Sequence, residues 1–126
     1  MAGIYIHIPF CKQACHYCNF HFSTSFDKYR TEMINAICNE ILLQANFFED
    51  RKTSTQTVYF GGGTPSILTQ NEFIKIWDSL ENTFNLTEVQ EVTLEANPDD
   101  MGDYFFELIS SSKINRLSIG VQSFDN

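Results

Sequence analysis

The chain reads as an α/β protein built on a parallel sheet, with three strand–helix units followed by a fourth strand. Three observations predict this. Short segments of alternating or β-branched apolar residues recur along the chain, each of the first three is followed by a helical pattern, and every unusual residue cluster falls at or just after the end of a strand. A strand–helix–strand series folds into parallel pairs with right-handed crossovers.

The elements follow in order. Gly3–Pro9 alternates, with Ile4, Ile6 and Ile8 on one side and Tyr5 and His7 on the other, so it reads as a strand. From about Asp27 to Phe47 apolar residues fall three and four apart (Met33, Ile34, Ile37, Cys38, Ile41, Leu42, Ala45), the stripe of an amphipathic helix. Cys38, on that stripe, reads as a core thiol. Thr57–Phe60 is a short strand, expected to be broken by Gly61, Gly62, Gly63 and Pro65. Thr69 and Glu72 form a capping-box signature before a helix whose inward face is Phe73, Ile74, Trp77, Leu80 and Phe84. Glu91–Ala96 is the third strand, ended by Asn97-Pro98. Asp99 is placed to cap a helix over Asp100–Ser111 with Phe105, Leu108 and Ile109 inward, and Arg116–Gln122 is the fourth strand.

An eight-unit barrel needs roughly 250 residues, about twice this length. The chain stops four residues after its last predicted strand. Residues 1–126 are therefore expected to be the N-terminal part of a barrel cut before its next helix, inactive alone and with an edge strand open to self-association.

Composition narrows the function classes. A formal charge of −8, with 8 Lys and Arg against 16 Asp and Glu, disfavours nucleic acid, whose phosphates need cations. No apolar run approaches a membrane span, and Gly3–Phe10 lacks the cationic start of a signal peptide. A cytoplasmic protein is expected. In a reducing compartment four cysteines point to metal or redox chemistry rather than to disulfides.

Cys11, Cys15 and Cys18 are spaced by three residues and then two. A short loop with that spacing can turn three thiolates onto one centre, and thiolates suit iron–sulfur clusters and zinc. Three protein ligands on a four-iron cluster leave one iron open. From the residues alone, a zinc site completed by His7, His16 or His21 and a Cys15/Cys18 redox pair remain open. The run Gly61-Gly62-Gly63-Thr64-Pro65 permits close backbone approach to a ligand. It lacks the sixth-position glycine of a dinucleotide fingerprint and the lysine of a phosphate loop, and a tight turn without a ligand also explains it. Glu95 is a charge in an apolar strand end, at the edge where parallel α/β folds bind ligands. There it can accept hydrogen bonds from ribose hydroxyls. A surface position also explains it, and Arg116 and Gln122 can be rim residues.

The stretches I4-Y-I-H-I-P-F-C11, C11-x3-C15-x-Y17-C18, Y59-F-G-G-G-T-P-S66, L94-E-A-N-P98 and N115-R-L-S-I-G-V-Q-S-F124 run the length of the chain. Together they resemble the radical S-adenosylmethionine (SAM) superfamily, and within it the oxygen-independent coproporphyrinogen III oxidase and heme chaperone group. The resemblance implies the N-terminal part of a partial (βα) barrel. It also implies a [4Fe-4S] cluster on Cys11, Cys15 and Cys18, its fourth iron chelated by SAM. Gly62 and Glu95 would line the SAM site, and Tyr5 would sit beside the cluster. Tyr17, Gly63, Thr64 and Gln122 match the site of a second SAM found in the oxidase branch. One-electron reduction of the cluster would cleave SAM to a deoxyadenosyl radical.

Two departures bear on the branch. Oxidase members carry a further Cys two residues after the third cluster ligand, where this chain has Phe20, and they carry an extension before the first strand. Both features resemble the heme chaperone branch, thought to bind heme and pass it to target proteins. Its proposed heme ligands lie in a C-terminal region outside this chain. A porphyrinogen-oxidising enzyme is the alternative, and a zinc-stapled α/β binding module a third.

Overall fold

The structure is a computed structural model of the chain, and it describes residues 2–9, 23–48, 53–63, 65–98 and 102–120, with the side chains of 23–27 and 104 set aside. Its elements are β1 (Ala2–Ile8), α1 (Ser23–Leu43), β2 (Thr55–Gly62), a 3-10 turn (Pro65–Ile67), α2 (Gln70–Thr83), β3 (Glu91–Ala96), α3 (Asp103–Ser111) and β4 (Arg116–Ile119). The four strands form one sheet in the order β1-β2-β3-β4, and every pair is parallel. This is the predicted series of three strand–helix units and a fourth strand. The spatial order follows the chain order with no reversal, as in a barrel wall rather than a doubly wound sheet.

Side-chain alternation sorts the two faces. Ile6, Ile8, Val58, Phe60, Val92, Leu94 and Ala96 are buried beneath the helices. The helices complete that layer with Ile34 and Ile41, with Phe73, Ile76, Trp77 and Leu80, and with Phe105 and Leu108. Phe60 meets Phe73 at 4.9 Å between ring centroids, and Phe73 stacks on Trp77 at 5.9 Å and 11°. Each such ring, fully buried, contributes about 2–3 kcal/mol from apolar area alone. The opposite sheet face carries Tyr5, His7, Tyr59, Gly61, Thr93 and Glu95.

α1 and α2 are fastened by polar bonds as well as by packing. Arg30 donates Nε to Glu72 Oε2 at 2.8 Å and Nη2 to both Glu72 Oε1 (2.5 Å) and the Ile67 carbonyl (2.6 Å). Glu72 is also the far half of the capping box. Thr69 Oγ1 accepts from the Glu72 amide at 3.1 Å, and Glu72 Oε1 accepts from the Thr69 amide at 2.8 Å. One carboxylate thus caps α2 and receives the cation of α1. Cys38 is half-buried at the same interface, its Sγ 3.7 Å from the Lys75 carbonyl, consistent with a packing role.

Several boundaries and faces depart from expectation. β2 runs on through Gly61 and Gly62, because its pairing with β1 extends to Ile8↔Gly62 and supplies backbone partners that the glycines do not forfeit. Ile74 is exposed and Ile76 is buried in its place, since Phe73, Ile76, Trp77 and Leu80 make the narrower stripe that fits the sheet. Leu42 also points to solvent, being one residue past the line of Ile34, Ile37, Cys38 and Ile41. Phe84 is the C-cap of α2 and only half-buried. α3 starts at Asp103 with Gly102 as its N-cap, so the helix does not begin at Asp100; Asp99 itself lies outside the described residues. β4 is described from Arg116 to Ile119, and residues 121–126 lie outside the description.

Burial pushes the Glu72 carboxyl up, but the hydrogen bonds from Arg30 and Thr69 and the Arg30 charge outweigh it and hold the group below its ordinary 4.5. A depressed carboxyl contributes stability that is present above the unfolded-state value and is lost as pH falls through the folded one. Glu72→Gln keeps a capping side chain and removes the charge. It should cost about 1–2 kcal/mol at pH 7 and flatten the loss of stability below about pH 4.5. Urea denaturation across pH 3–7 measures both; an acid limb as steep as the parent's would refute the role of the charge.

Candidate functional site

The candidate site is the C-terminal edge of the sheet, where β1, β2 and β3 end. Parallel register sets its layout. Tyr5 lies opposite Tyr59, His7 opposite Gly61, and Ile8 opposite Gly62. Thr93 and Glu95 stand on the same face of β3, with Glu95 opposite Ser118 of β4.

Gly61 lies at the centre of this arrangement. A methyl group built on its Cα would touch Glu95 Oε1, and would lie 2.6 Å from the Tyr5 hydroxyl oxygen and 2.8 Å from Tyr59 Cε1. The Glu95 carboxylate and the Tyr5 phenol therefore converge over a residue with no side chain. Tyr5 stacks on Tyr59 with centroids 5.5 Å apart and planes at 15°, and tilts against His7 at 6.3 Å. Its other side is open, leaving the residue 57% exposed although it stands on a sheet. Partial burial, then the Glu95 carboxylate and Tyr59, raise the Tyr5 pKa above 10.0. Its hydroxyl remains a protonated donor beside a carboxylate acceptor. That pairing suits a ligand bearing both hydroxyl and charged polar groups.

Gly62 is constrained in a different way. Its φ is +108°, a conformation that side chains rarely adopt. An added Cβ would also lie 2.6 Å from His7 Nδ1 and 2.9 Å from the Ile8 carbonyl oxygen. The Gly63 amide then donates to that same Ile8 carbonyl at 2.8 Å, tying the glycine run to the end of β1. Beyond it, Gly63, Pro65, Glu95, Ala96, Asn97, Ser118 and Gly120 enclose a small hollow of about 110 Å³ at the strand ends. A larger hollow of about 690 Å³, lined by Trp77, Phe84, Asn85 and Lys113 among others, lies at the opposite edge of the sheet and shares no residue with this one.

Of the residues singled out in the sequence, Tyr5, Gly62, Gly63 and Glu95 come together at this edge. Cys11, Cys15, Cys18, Tyr17, Phe20, Thr64 and Gln122, with His16 and His21, lie outside the described residues. Among the described residues no cluster of His, Cys, Asp or Glu forms a metal site, and no helix is long and apolar enough to cross a membrane. Arg116 is on the rim, paired with Glu91. Asn115 carries a structural task. Its Oδ1 accepts from the Val92 amide and its Nδ2 donates to the Gln90 carbonyl, both at 2.8 Å, which anchors the start of β3. Sequence reading named Gly61 only as part of the glycine run and gave Tyr59 and Ser118 no site role of their own. Alternation from Phe60 could have put Tyr59 and Gly61 on the ligand side, but only the register shows what they face.

Residues 5–126 match the family described as the radical SAM superfamily. The chain belongs to the radical SAM superfamily. It is 34% identical over 122 residues to the heme chaperone HemW of Lactococcus lactis, covering 97% of this chain and 31% of that protein. It is 32% identical over 127 residues to HemW of Bacillus subtilis, covering 100% and 33%. The oxygen-independent coproporphyrinogen III oxidase of Bradyrhizobium diazoefficiens is 33% identical over 128 residues, covering 98% and 28%. The solved structure of the Escherichia coli coproporphyrinogen III oxidase HemN, titled a radical SAM enzyme, matches with a TM-score of 0.72 and 26% identity, over 98% of this chain and 29% of that one. The chain thus spans about a third of the length of the curated relatives it matches. The radical SAM assignment and its α/β fold agree with the resemblance drawn from the motifs.

The glycine geometry yields a stability test. Gly62→Ala meets both an unfavourable φ and a backbone carbonyl that cannot swing aside, and should cost about 2–3 kcal/mol. Gly120→Ala, with nothing within 4 Å of the new methyl, should stay within about 0.5 kcal/mol. Chemical denaturation of the two variants beside the parent decides the point, and equal costs would contradict the close packing of Gly62 on β1.

Proposed function

We propose that residues 1–126 supply the cluster- and SAM-binding part of a radical SAM core domain, in a cytoplasmic protein that binds heme and transfers it to other proteins. Cys11, Cys15 and Cys18 hold three irons of a [4Fe-4S] cluster. Gly62 and Glu95 line the SAM site, and Tyr5 stands beside the cluster. Tyr17, Gly63, Thr64 and Gln122 are the positions for a second SAM.

The observation that carries this reading is the meeting of Glu95 and Tyr5 over Gly61, at the strand edge where β1 ends with Ile8, three residues before Cys11 in the sequence. The residues present fit SAM. The carboxylate can accept from ribose hydroxyls, the phenol can donate to a polar group, and the absent side chains of Gly61 and Gly62 leave the backbone open to close approach. A cluster held by Cys11, Cys15 and Cys18 would supply the electron for the reductive cleavage of SAM. The protein's part is to hold the thiolates together, to fix the nucleoside by Glu95, and to keep the phenol protonated beside it.

Heme transfer is favoured by the HemW relatives and by Phe20, which stands where oxidase members have a further Cys. The oxidase-named relative and the HemN structural match support the second reading, oxidation of a porphyrinogen. Family membership weighs against a zinc-stapled module.

Anaerobic reconstitution of the full-length protein should give about four irons and four acid-labile sulfides per chain, with a cluster spectrum that SAM perturbs. Replacing Cys11, Cys15 and Cys18 together by Ala should abolish the chromophore, while Cys38→Ala leaves it; the reverse pattern would overturn the ligand assignment. Stoichiometric zinc without sulfide would defeat the cluster. Incubated with coproporphyrinogen III, the protein should form no appreciable protoporphyrinogen, and abundant product would replace heme transfer by the oxidase reading.

A further inference from the structure

We infer that Gly61 and Tyr59 are positioning residues of the SAM site: the bare Cα of Gly61 makes the space in which the Glu95 carboxylate and the Tyr5 hydroxyl meet, and the Tyr59 ring holds Tyr5 in that space. This rests on the SAM reading above and deepens it.

Three elements contribute to one point. β1 brings the Tyr5 phenol, β2 brings Gly61 and the Tyr59 ring edge, and β3 brings Glu95. All three side chains press on the position that a Gly61 methyl would occupy. The register Tyr5↔Tyr59 sets the two rings side by side, and their 15° stack removes Tyr5's freedom to swing away from the strand edge. Neither residue need touch the ligand. Gly61 acts by leaving room, and Tyr59 acts through Tyr5. The glycine run thus divides its tasks. Gly62 is required by its own backbone angle and by His7, whereas Gly61 carries no such angle and is required by the groups above it.

An added methyl at Gly61 must push Glu95 and Tyr5 apart or outward. Displacing the carboxylate exposes Tyr5 and takes away the negative charge beside it, the two leading causes of its raised pKa. Tyrosine ionisation therefore reports the geometry without SAM.

The test uses the full-length protein with its cluster reconstituted, reading SAM binding by equilibrium dialysis, cluster content by iron and sulfide, and tyrosine ionisation by ultraviolet difference titration. In Gly61→Ala the SAM dissociation constant should rise about tenfold or more. Cluster content should match the parent, and the late-ionising tyrosine should titrate at lower pH, as it should in Glu95→Gln. Tyr59→Leu should weaken SAM binding about three- to tenfold, with Tyr59→Phe restoring it because the stack survives. The leucine–phenylalanine pair judges the inference even if Gly61→Ala does not fold. SAM affinity unchanged from the parent in Gly61→Ala or Tyr59→Leu would overturn it. A parent that carries the cluster yet fails to bind SAM fails in a different place, sinking the SAM reading itself and this inference with it.

Discussion

The register of β1 against β2 is the constraint on which the site depends. Parallel pairing from Gly3↔Thr57 to Ile8↔Gly62 sets Tyr5 beside Tyr59 and His7 beside Gly61. Side chains alternate with a period of two, so a slip of one residue would carry every one of them to the other face. The aliphatic residues oppose such a slip. Ile6, Ile8, Val58 and Phe60 are all buried under the helices, and moving that set into water would cost several times what the polar edge could return. The hydrophobic layer thus fixes the positions of groups that lie on the other side of the sheet. The Arg30–Glu72 clamp serves the same end from the helix side, because it ties α1 to the start of α2 and to the turn at Ile67 that follows the glycine run.

With the apolar face committed, the ligand face is shaped largely by what is missing from it. Two consecutive glycines end β2, and each leaves a different gap. Gly62 yields space to His7 and the Ile8 carbonyl, while Gly61 yields it to Glu95, Tyr5 and Tyr59. Side chains there would press on these groups, and one at Gly61 would separate the donor from the acceptor. Keeping a carboxylate and a phenol so close on a partly covered sheet has a cost, visible in the upward push on the Tyr5 proton. The cost is modest because both groups keep access to water, and it leaves a donor–acceptor pair aimed at one place.

Much of this was legible in the chain itself, and the limits have physical reasons. The four strands, the parallel order and the capping box at Thr69 follow from local pattern, and Glu91–Ala96 was readable to the residue because polar neighbours bound it on both sides. Helix faces were less legible. Ile74 and Ile76 are alike as residues, and only the position of the sheet decides which one is buried. The end of β2 misled for a related cause, since glycine reads as a breaker in isolation but remains in a strand when a neighbour supplies its hydrogen bonds. In the site, Tyr5, Gly62, Gly63 and Glu95 stood out by motif, whereas Tyr59 and Gly61 acquire their meaning from contacts between strands far apart in sequence. Asn115 is the same kind of case: nothing local marks it as the anchor of β3, which its two bonds to Gln90 and Val92 reveal.

The unreversed strand order also explains why the polar groups gather on one side. In a doubly wound sheet, helices cover both faces and ligands are confined to the crevice where the order switches. Here β1 to β4 follow one another, the described helices lie over one face, and the other face carries Tyr5, Tyr59, Thr93 and Glu95 along neighbouring strands. A wall of that kind can present side chains from several strands to one ligand. The placement of Glu95 on β3, Tyr5 on β1 and the glycines on β2 uses it that way. No single loop could hold these groups with equal rigidity, because each is fixed by a strand whose far side is locked into the core. The stiffness of the apolar layer and the open chemistry of the ligand face are therefore two results of one alternating pattern.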